Sequence, residues 1–444
     1  MPRKRTRSAL LAVALLCPLL ALGVDWQATP QASTPRLLKA ERAGGVLLAG
    51  AAKVDISPEL PVVVAGYPPP RREASDLAAP LFARAVVFQS GRIRVGLVSL
   101  ELLEVPESLV DRVRERAPLL GLDGVVLAAT HVHSSFGGYD PRLLPAVAAT
   151  GAFDEERASR LVAKIETCLR LATDLRRAVS ARAGAVAVPE STRNRAEPGA
   201  DVDDRLRVLS LEALDGGAPV ARLVTFAAHA TLVARDGERL DGDFPSRLMT
   251  ALEEEGGVAL FTQGAVGDVS ARIRQPEKVA VTLARAARDA LAVSRPPLVE
   301  PSLGFAELQV DLPRVLAPSS VPSALRRPVS NLLAPLLPRT ARVAVLRLGG
   351  LSWLFVPGEA TSFAAAQILG RMGTPAGVAE PVVVGLSQGY LGYIEASDRV
   401  LQGRGEARRA LFDPDLVERL ADGLAVGAEA LSRAEATAAA TPAD

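Results

Sequence analysis

Apolar positions along this chain switch between two periods. Unbroken or alternating runs rich in β-branched residues occupy 83–89 (ARAVVFQ), 93–100 (IRVGLVSL) and 124–130 (GVVLAAT), while 106–117 (PESLVDRVRERA) and 156–175 (ERASRLVAKIETCLRLATDL) carry apolar residues three and four positions apart. The first pattern predicts strands and the second amphipathic helices, and their alternation predicts an α/β protein. Three strands then follow in a row, 177–188, 205–214 and 220–229, before helices at 244–255 and 277–292 flank a strand at 258–263. Consecutive strands with no helix between them imply a mixed rather than a purely parallel sheet, flanked by helices. Strands at 343–348, 351–356 and 381–387, a helix from about Thr361 and a long amphipathic helix at 413–434 complete the pattern.

The ends and one interior stretch depart from it. Residues 24–45 are rich in Ala, Pro, Thr and Arg without a period, which predicts a flexible leader; 46–435 is expected to be one large catalytic domain and 436–444 a disordered tail. Residues 1–23 join the basic PRKRTR to an apolar run and a small-residue site at Ala21, Leu22 and Gly23, the pattern of a secretory signal peptide or, if uncleaved, an N-terminal anchor. A secreted or periplasmic location is the expectation. Five prolines punctuate 314–340, which predicts a loop excursion, either a plain surface connection or an apolar lip that meets a lipid-like substrate or a membrane.

Composition narrows the function. At 444 residues and 49% hydrophobic content a sizeable core is assured, and 51 basic against 50 acidic residues, interspersed, leave no nucleic-acid surface. Cys168 lies in a helical pattern with no disulfide partner once Cys17 is removed with the signal, and reads as a packing residue.

Three histidines serve the whole chain, and each stands where an apolar run stops: His131 and His133 after VVLAAT, His229 after VTFAA. A side chain just past a buried strand is held by a rigid support and opens into a crevice, which suits a metal ligand. Residues two apart on a strand share a face, so His131 and His133 approach one point, one as ligand and one as a proton-handling neighbour. Glu359 follows WLFVPG and is a candidate carboxylate ligand, although a helix N-terminus favours a glutamate equally. Asp268 and Ser270 in GAVGDVS sit beside permissive glycines, and Tyr390 and Tyr393 are two of the four tyrosines.

Together ATHVHSSFGGY, FAAHATLV, GAVGDVS, VPGEATS and GYLGY, in this order over roughly residues 46–435, resemble the neutral (alkaline, non-lysosomal) ceramidase family, in its N-terminal zinc amidase domain. The resemblance implies a Zn2+ site made by His131, His229, Glu359 and Tyr393. It gives His133 a substrate-side role, Arg195 of TRNRAEP a place near the reacting amide, and Ser270 and Asp268 places in the catalytic machinery. The chain departs from the family pattern at Gly405, where the family carries a further tyrosine, and at Ala271 and Arg272 after GDVS. The function implied is zinc-dependent hydrolysis of an N-acyl amide in a lipid-like small molecule, with peripheral membrane contact. An esterase on the same metal, or a non-catalytic zinc-stabilised lipid-binding relative, are the alternatives. Acyl chain, headgroup and oligomeric state stay open at this level.

Overall fold

The computed structural model describes residue 27 and residues 34–233, 238–294, 296–373 and 380–440. In chain order the main strands are β1 (Arg36–Ala43), β2 (Leu47–Asp55), β3 (Phe82–Ser90), β4 (Ile93–Leu100), β5 (Gly124–Ala129), β6 (Arg177–Ala187) and β7 (Arg205–Ala213). They continue with β8 (Ala221–Phe226), β9 (Val258–Gln263), β10 (Leu303–Asp311), β11 (Thr340–Leu348), β12 (Leu351–Phe355) and β13 (Glu380–Val384). The helices that flank them are α1 (Glu107–Arg114), α2 (Glu155–Asp174), α3 (Asp243–Glu253), α4 (Pro276–Ala292), α5 (Ser323–Leu333), α6 (Ser362–Met372) and α7 (Leu416–Ala440).

The strands form an eight-stranded sheet, β9-β8-β7-β6-β2-β3-β4-β5, and a five-stranded one, β1-β10-β11-β12-β13. Both are mixed: β4 with β5, β8 with β9 and β12 with β13 run parallel, and the other neighbours run antiparallel. Alternation along each strand explains the layering. Leu97, Val86, Phe305, Leu346 and Trp353 share one core between the sheets, whereas Val98 and Val87 pack outward with Val110 and Ile165, and Val345 and Leu354 outward with Leu420 and Ile368. A third outer core places Phe226 and Phe261 against Leu248 and Leu283. The result is a four-layer α/β/β/α arrangement. Each aromatic or aliphatic side chain so buried contributes roughly 1.5–3 kcal/mol.

Several expectations need correction. Residues Arg36–Ala43, expected within a flexible leader, are the edge strand β1, because β10 offers an unpaired backbone edge; neither β1 nor β10 is among the expected strands. The tail expected from residue 436 is helical through Ala440, as the last part of α7. The excursion at 314–340 holds helix α5, with Pro322 at its N-cap and Pro328 inside it. Cys168 is fully buried, and burial pushes its thiol up to about 12, as a packing residue requires. The expected anchored or exported location is corrected as well. No helix among the described residues is long and apolar enough to cross a membrane, and the segment at 1–23 that suggested it lies outside them.

Candidate metal centre and active site

The eight-stranded sheet bends sharply where β2 meets β6 through two residue pairs, Leu48 with Ala178 and Ala49 with Arg177. This brings the far strand β9 back against β4, where Ser99 Oγ donates to the Phe261 carbonyl at 2.6 Å. The chain segments leaving β5 and β8 therefore converge. His131 leaves β5 in a left-handed turn (φ 63°), and His229 leaves β8 with its backbone beside Ser270. From the other sheet, the chain leaving β12 turns at Pro357 and Gly358, and Glu359–Ala360 pairs in parallel with Tyr393–Ile394. A Cβ on Gly358 would strike the Gly392 carbonyl, so that turn tolerates no side chain.

Each imidazole is pinned through one nitrogen. Nδ1 of His131 meets the Leu103 carbonyl at 2.8 Å, that of His133 the Gly66 carbonyl at 3.0 Å, and that of His229 the Val269 carbonyl at 2.9 Å. A carbonyl accepts only from N–H, so Nδ1 carries the proton and Nε2 keeps its lone pair. Those lone-pair nitrogens gather. His131 Nε2 lies 3.3 Å from His133 Nε2 and 3.3 Å from Glu359 Oε2, and His229 Nε2 lies 3.1 Å from the same oxygen. Ligands about 2.0–2.1 Å from a tetrahedral zinc are about 3.3 Å apart, so these donors already have the spacing such an ion requires. The donor atoms of the three histidines lie within 4.8 Å of one another, a group able to hold a metal ion.

Electrostatics favours the ligand forms. Burial pushes His229 down to about 4, aided by the Arg195 charge, and burial holds His133 well below its ordinary range. Both are neutral at pH 7, as coordination demands. Burial opposes the Glu359 charge, yet His131 and His229 hold its carboxyl well below the usual carboxylate range. The other Glu359 oxygen, Oε1, accepts from the Tyr390 hydroxyl at 2.7 Å.

The remaining expected residues are placed as follows. Arg195 Nη2 donates to the Tyr393 hydroxyl at 2.9 Å and to the Gly267 carbonyl at 2.8 Å, and its Nε meets Glu406 Oε1 at 3.1 Å. Tyr393 is thus tethered to arginine through its hydroxyl, with its backbone paired to that of Glu359. Ser270 is half-buried, and its side chain makes no hydrogen bond among the described residues. At Asp268, Oδ2 accepts from Asn194 Nδ2 at 2.7 Å, and Oδ1 from the Ser362 backbone N–H at 2.8 Å and its hydroxyl at 2.9 Å. With these three donors the buried carboxylate ties the strand before Arg195 to the N-terminus of α6.

The sequence model described as neutral/alkaline non-lysosomal ceramidase, N-terminal, matches residues 47–283, more than half of the chain. The chain belongs to this family. The ceramidase fold is found again in solved structures. The neutral ceramidase from Pseudomonas aeruginosa is similar at TM-score 0.74 with 18% identity, covering 90% of this chain and 75% of that one. A structure described as ceramidase complexed with C2 is similar at TM-score 0.76 with 19% identity, covering 87% of this chain and 75% of that one. No curated protein sequence matches.

Two residues of this ceramidase-family site escaped the sequence reading. Gln263 Nε2 donates to the carbonyls of Thr130 and Ala228, at 2.9 Å each, so one side chain links the residues preceding His131 and His229. Its place at the end of an apolar strand was the available signal. Glu406, buried beside Gly405, holds Arg195 and stands next to the position where the family pattern has a tyrosine. No spacing rule connects residues 195 and 406.

Proposed function

We propose that this chain is a zinc-dependent hydrolase of an N-acyl amide in a lipid-like molecule. The single observation that carries the reading is the spacing of His131 Nε2, His229 Nε2 and Glu359 Oε2, with each imidazole oriented by a backbone carbonyl at Nδ1. Family membership and the solved ceramidase bound to C2 support the substrate class. These three groups would hold the ion, with Tyr393 as the fourth donor that the family resemblance implies. When bound, zinc supplies Lewis acidity to the carbonyl and lowers the pKa of a water to about 7.

The chain's own residues supply the rest. His133 is less buried than its two partners and packs at a tilt against Tyr67 with ring centroids 5.4 Å apart, so it faces the approach to the centre. Neutral at pH 7, it accepts the proton released by the attacking water and returns it to the leaving nitrogen. The Arg195 guanidinium, held beside Tyr393, stabilises charge that develops on the carbonyl oxygen, a contribution worth about 3 kcal/mol for one well-placed donor. Exposed Leu325 and Leu332 on α5, and Leu143 and Val147 near Tyr67, offer apolar contact for an acyl chain or a membrane surface.

The test is metal analysis joined to turnover. Purified protein should carry close to one zinc per chain, lose it in His229→Ala and Glu359→Ala, and hydrolyse a fluorogenic N-acyl amide in a way that chelation abolishes and zinc restores. Zinc-loaded protein inert toward both amide and ester panels would leave a binding protein in its place.

A further inference from the structure

Next to the candidate centre opens a cavity of about 660 Å³ whose charged walls are Arg195, Arg404, Arg408, Arg409, Glu197 and Glu406. Four guanidinium groups face two carboxylates, and both carboxylates are already shared. Glu406 meets Arg195 at 3.1 Å and Arg409 at 2.7 Å, and Glu197 meets Arg404 at 2.8 Å and Arg399 at 2.9 Å. The Arg408 side chain has no hydrogen-bond or ion-pair partner among the described residues. The cavity therefore keeps a surplus of positive charge and unused N–H donors.

Its floor is backbone. Gly403 and Gly405 line it, and Gly405 sits at φ +59° where a Cβ would run into Glu395 Oε2, so no side chain grows into the space from there. The same turn lets the Glu406 backbone N–H reach Glu395 Oε2 at 2.9 Å and aims the Glu406 carboxylate at Arg195. Arg195 belongs to both regions, because it also donates to Tyr393. One guanidinium thus separates the candidate metal centre from the arginine-walled space.

Because the cavity shares Arg195 with that centre, one end of a substrate whose carbonyl sits there can extend into it. An alkyl chain would strip water from the guanidinium groups and return no hydrogen bond, a costly exchange. A sulfonate, phosphate or carboxylate would match the arginine geometry with charge-assisted, paired N–H···O bonds. We infer that this cavity receives the headgroup side of the substrate and that this headgroup is anionic. The inference rests on the hydrolase reading for the position of the carbonyl, and on the cavity alone for the charge.

The experiment uses the full zinc-loaded chain and two amides with one acyl chain, N-dodecanoyl-2-aminoethanesulfonate and N-dodecanoylethanolamine, titrated calorimetrically beside inorganic sulfate. The sulfonate amide should bind at least about tenfold more tightly than the alcohol. That advantage should shrink in Arg408→Ala, an exposed position that carries no packing, and with rising salt. Equal affinities, or an Arg408→Ala effect of the same size on both amides, overturn the inference. Inorganic sulfate binding as tightly as the sulfonate amide also overturns it, since the cavity would then be a free-anion site. Turnover is followed in the same samples. Preference without hydrolysis keeps the anionic headgroup and removes the hydrolase reading, while hydrolysis of both amides without preference does the reverse.

Discussion

Gln263 donates its side-chain N–H to the Thr130 carbonyl at 2.9 Å, and the same amide nitrogen reaches Ala228. Because these carbonyls precede His131 and His229, the glutamine ties together two strand ends that also meet through the backbone bridge of Val132 with Ala230. Gln263→Leu keeps the volume and removes both bonds. Each buried carbonyl left without a donor costs about 1–3 kcal/mol, and loss of such support lowers metal affinity by about 10–100-fold. Thermal unfolding and zinc titration measure the two effects; unchanged zinc affinity would mean that the Val132–Ala230 backbone bridge and packing space the histidines without the glutamine.

Tyr390 and Tyr393 are expected to separate by role. Tyr390→Phe removes the donor to Glu359 Oε1 and should weaken zinc binding about tenfold while retaining turnover once the metal is saturating. Tyr393→Phe, if that hydroxyl is the fourth donor, should weaken zinc binding further and lower kcat as well. His133→Ala should leave zinc content near one per chain and reduce kcat by about 100-fold or more. Zinc loss in His133→Ala equal to that in His229→Ala would make His133 a ligand instead.

Acid should destabilise the metal-free protein in a defined window. His229 titrates at about 4 in the folded chain against an ordinary 6.5. Between these values the unfolded chain holds a proton that the folded chain lacks. This contribution is therefore complete above about pH 6.5 and is lost as pH falls toward about 4. At about 1.4 kcal/mol per unit it amounts to a few kcal/mol. Chemical denaturation of chelator-treated protein across this range checks it, with His229→Asn as the control expected to flatten the slope.

Asp268→Ala should act on the fold before the chemistry. It strands donors from Asn194 and Ser362, at an expected cost on the order of 3 kcal/mol. Activity per folded molecule, with unfolding followed in parallel, should fall far less than in Arg195→Ala. A deep kcat loss with stability intact would return Asp268 to the reacting groups.

Legibility in the sequence followed the range of the forces involved. Helices α2 and α4 and strands β3, β4, β5 and β9 are local patterns, and their periods suffice. Strand β1 is different: its charged edge sequence becomes a strand only because β10, far along the chain, presents backbone groups to it. Asp268 is marked in the sequence by its glycine neighbours and the family motif, whereas the partners that engage its carboxylate arrive from residues 194 and 362.

The alternation of periods, the placement of each histidine at the end of an apolar run and the spacing of the family motifs were fixed by the order of residues alone. These depend on nearest neighbours along the backbone. The approach of His131 and His229 to Glu359 Oε2, at 3.3 and 3.1 Å, the service of Gln263 to the segments of both histidines and the surplus of arginine beside Gly405 were decided by tertiary structure. Distances between residues hundreds of positions apart arise from the bend of one sheet and its packing on another, and no local pattern carries that information.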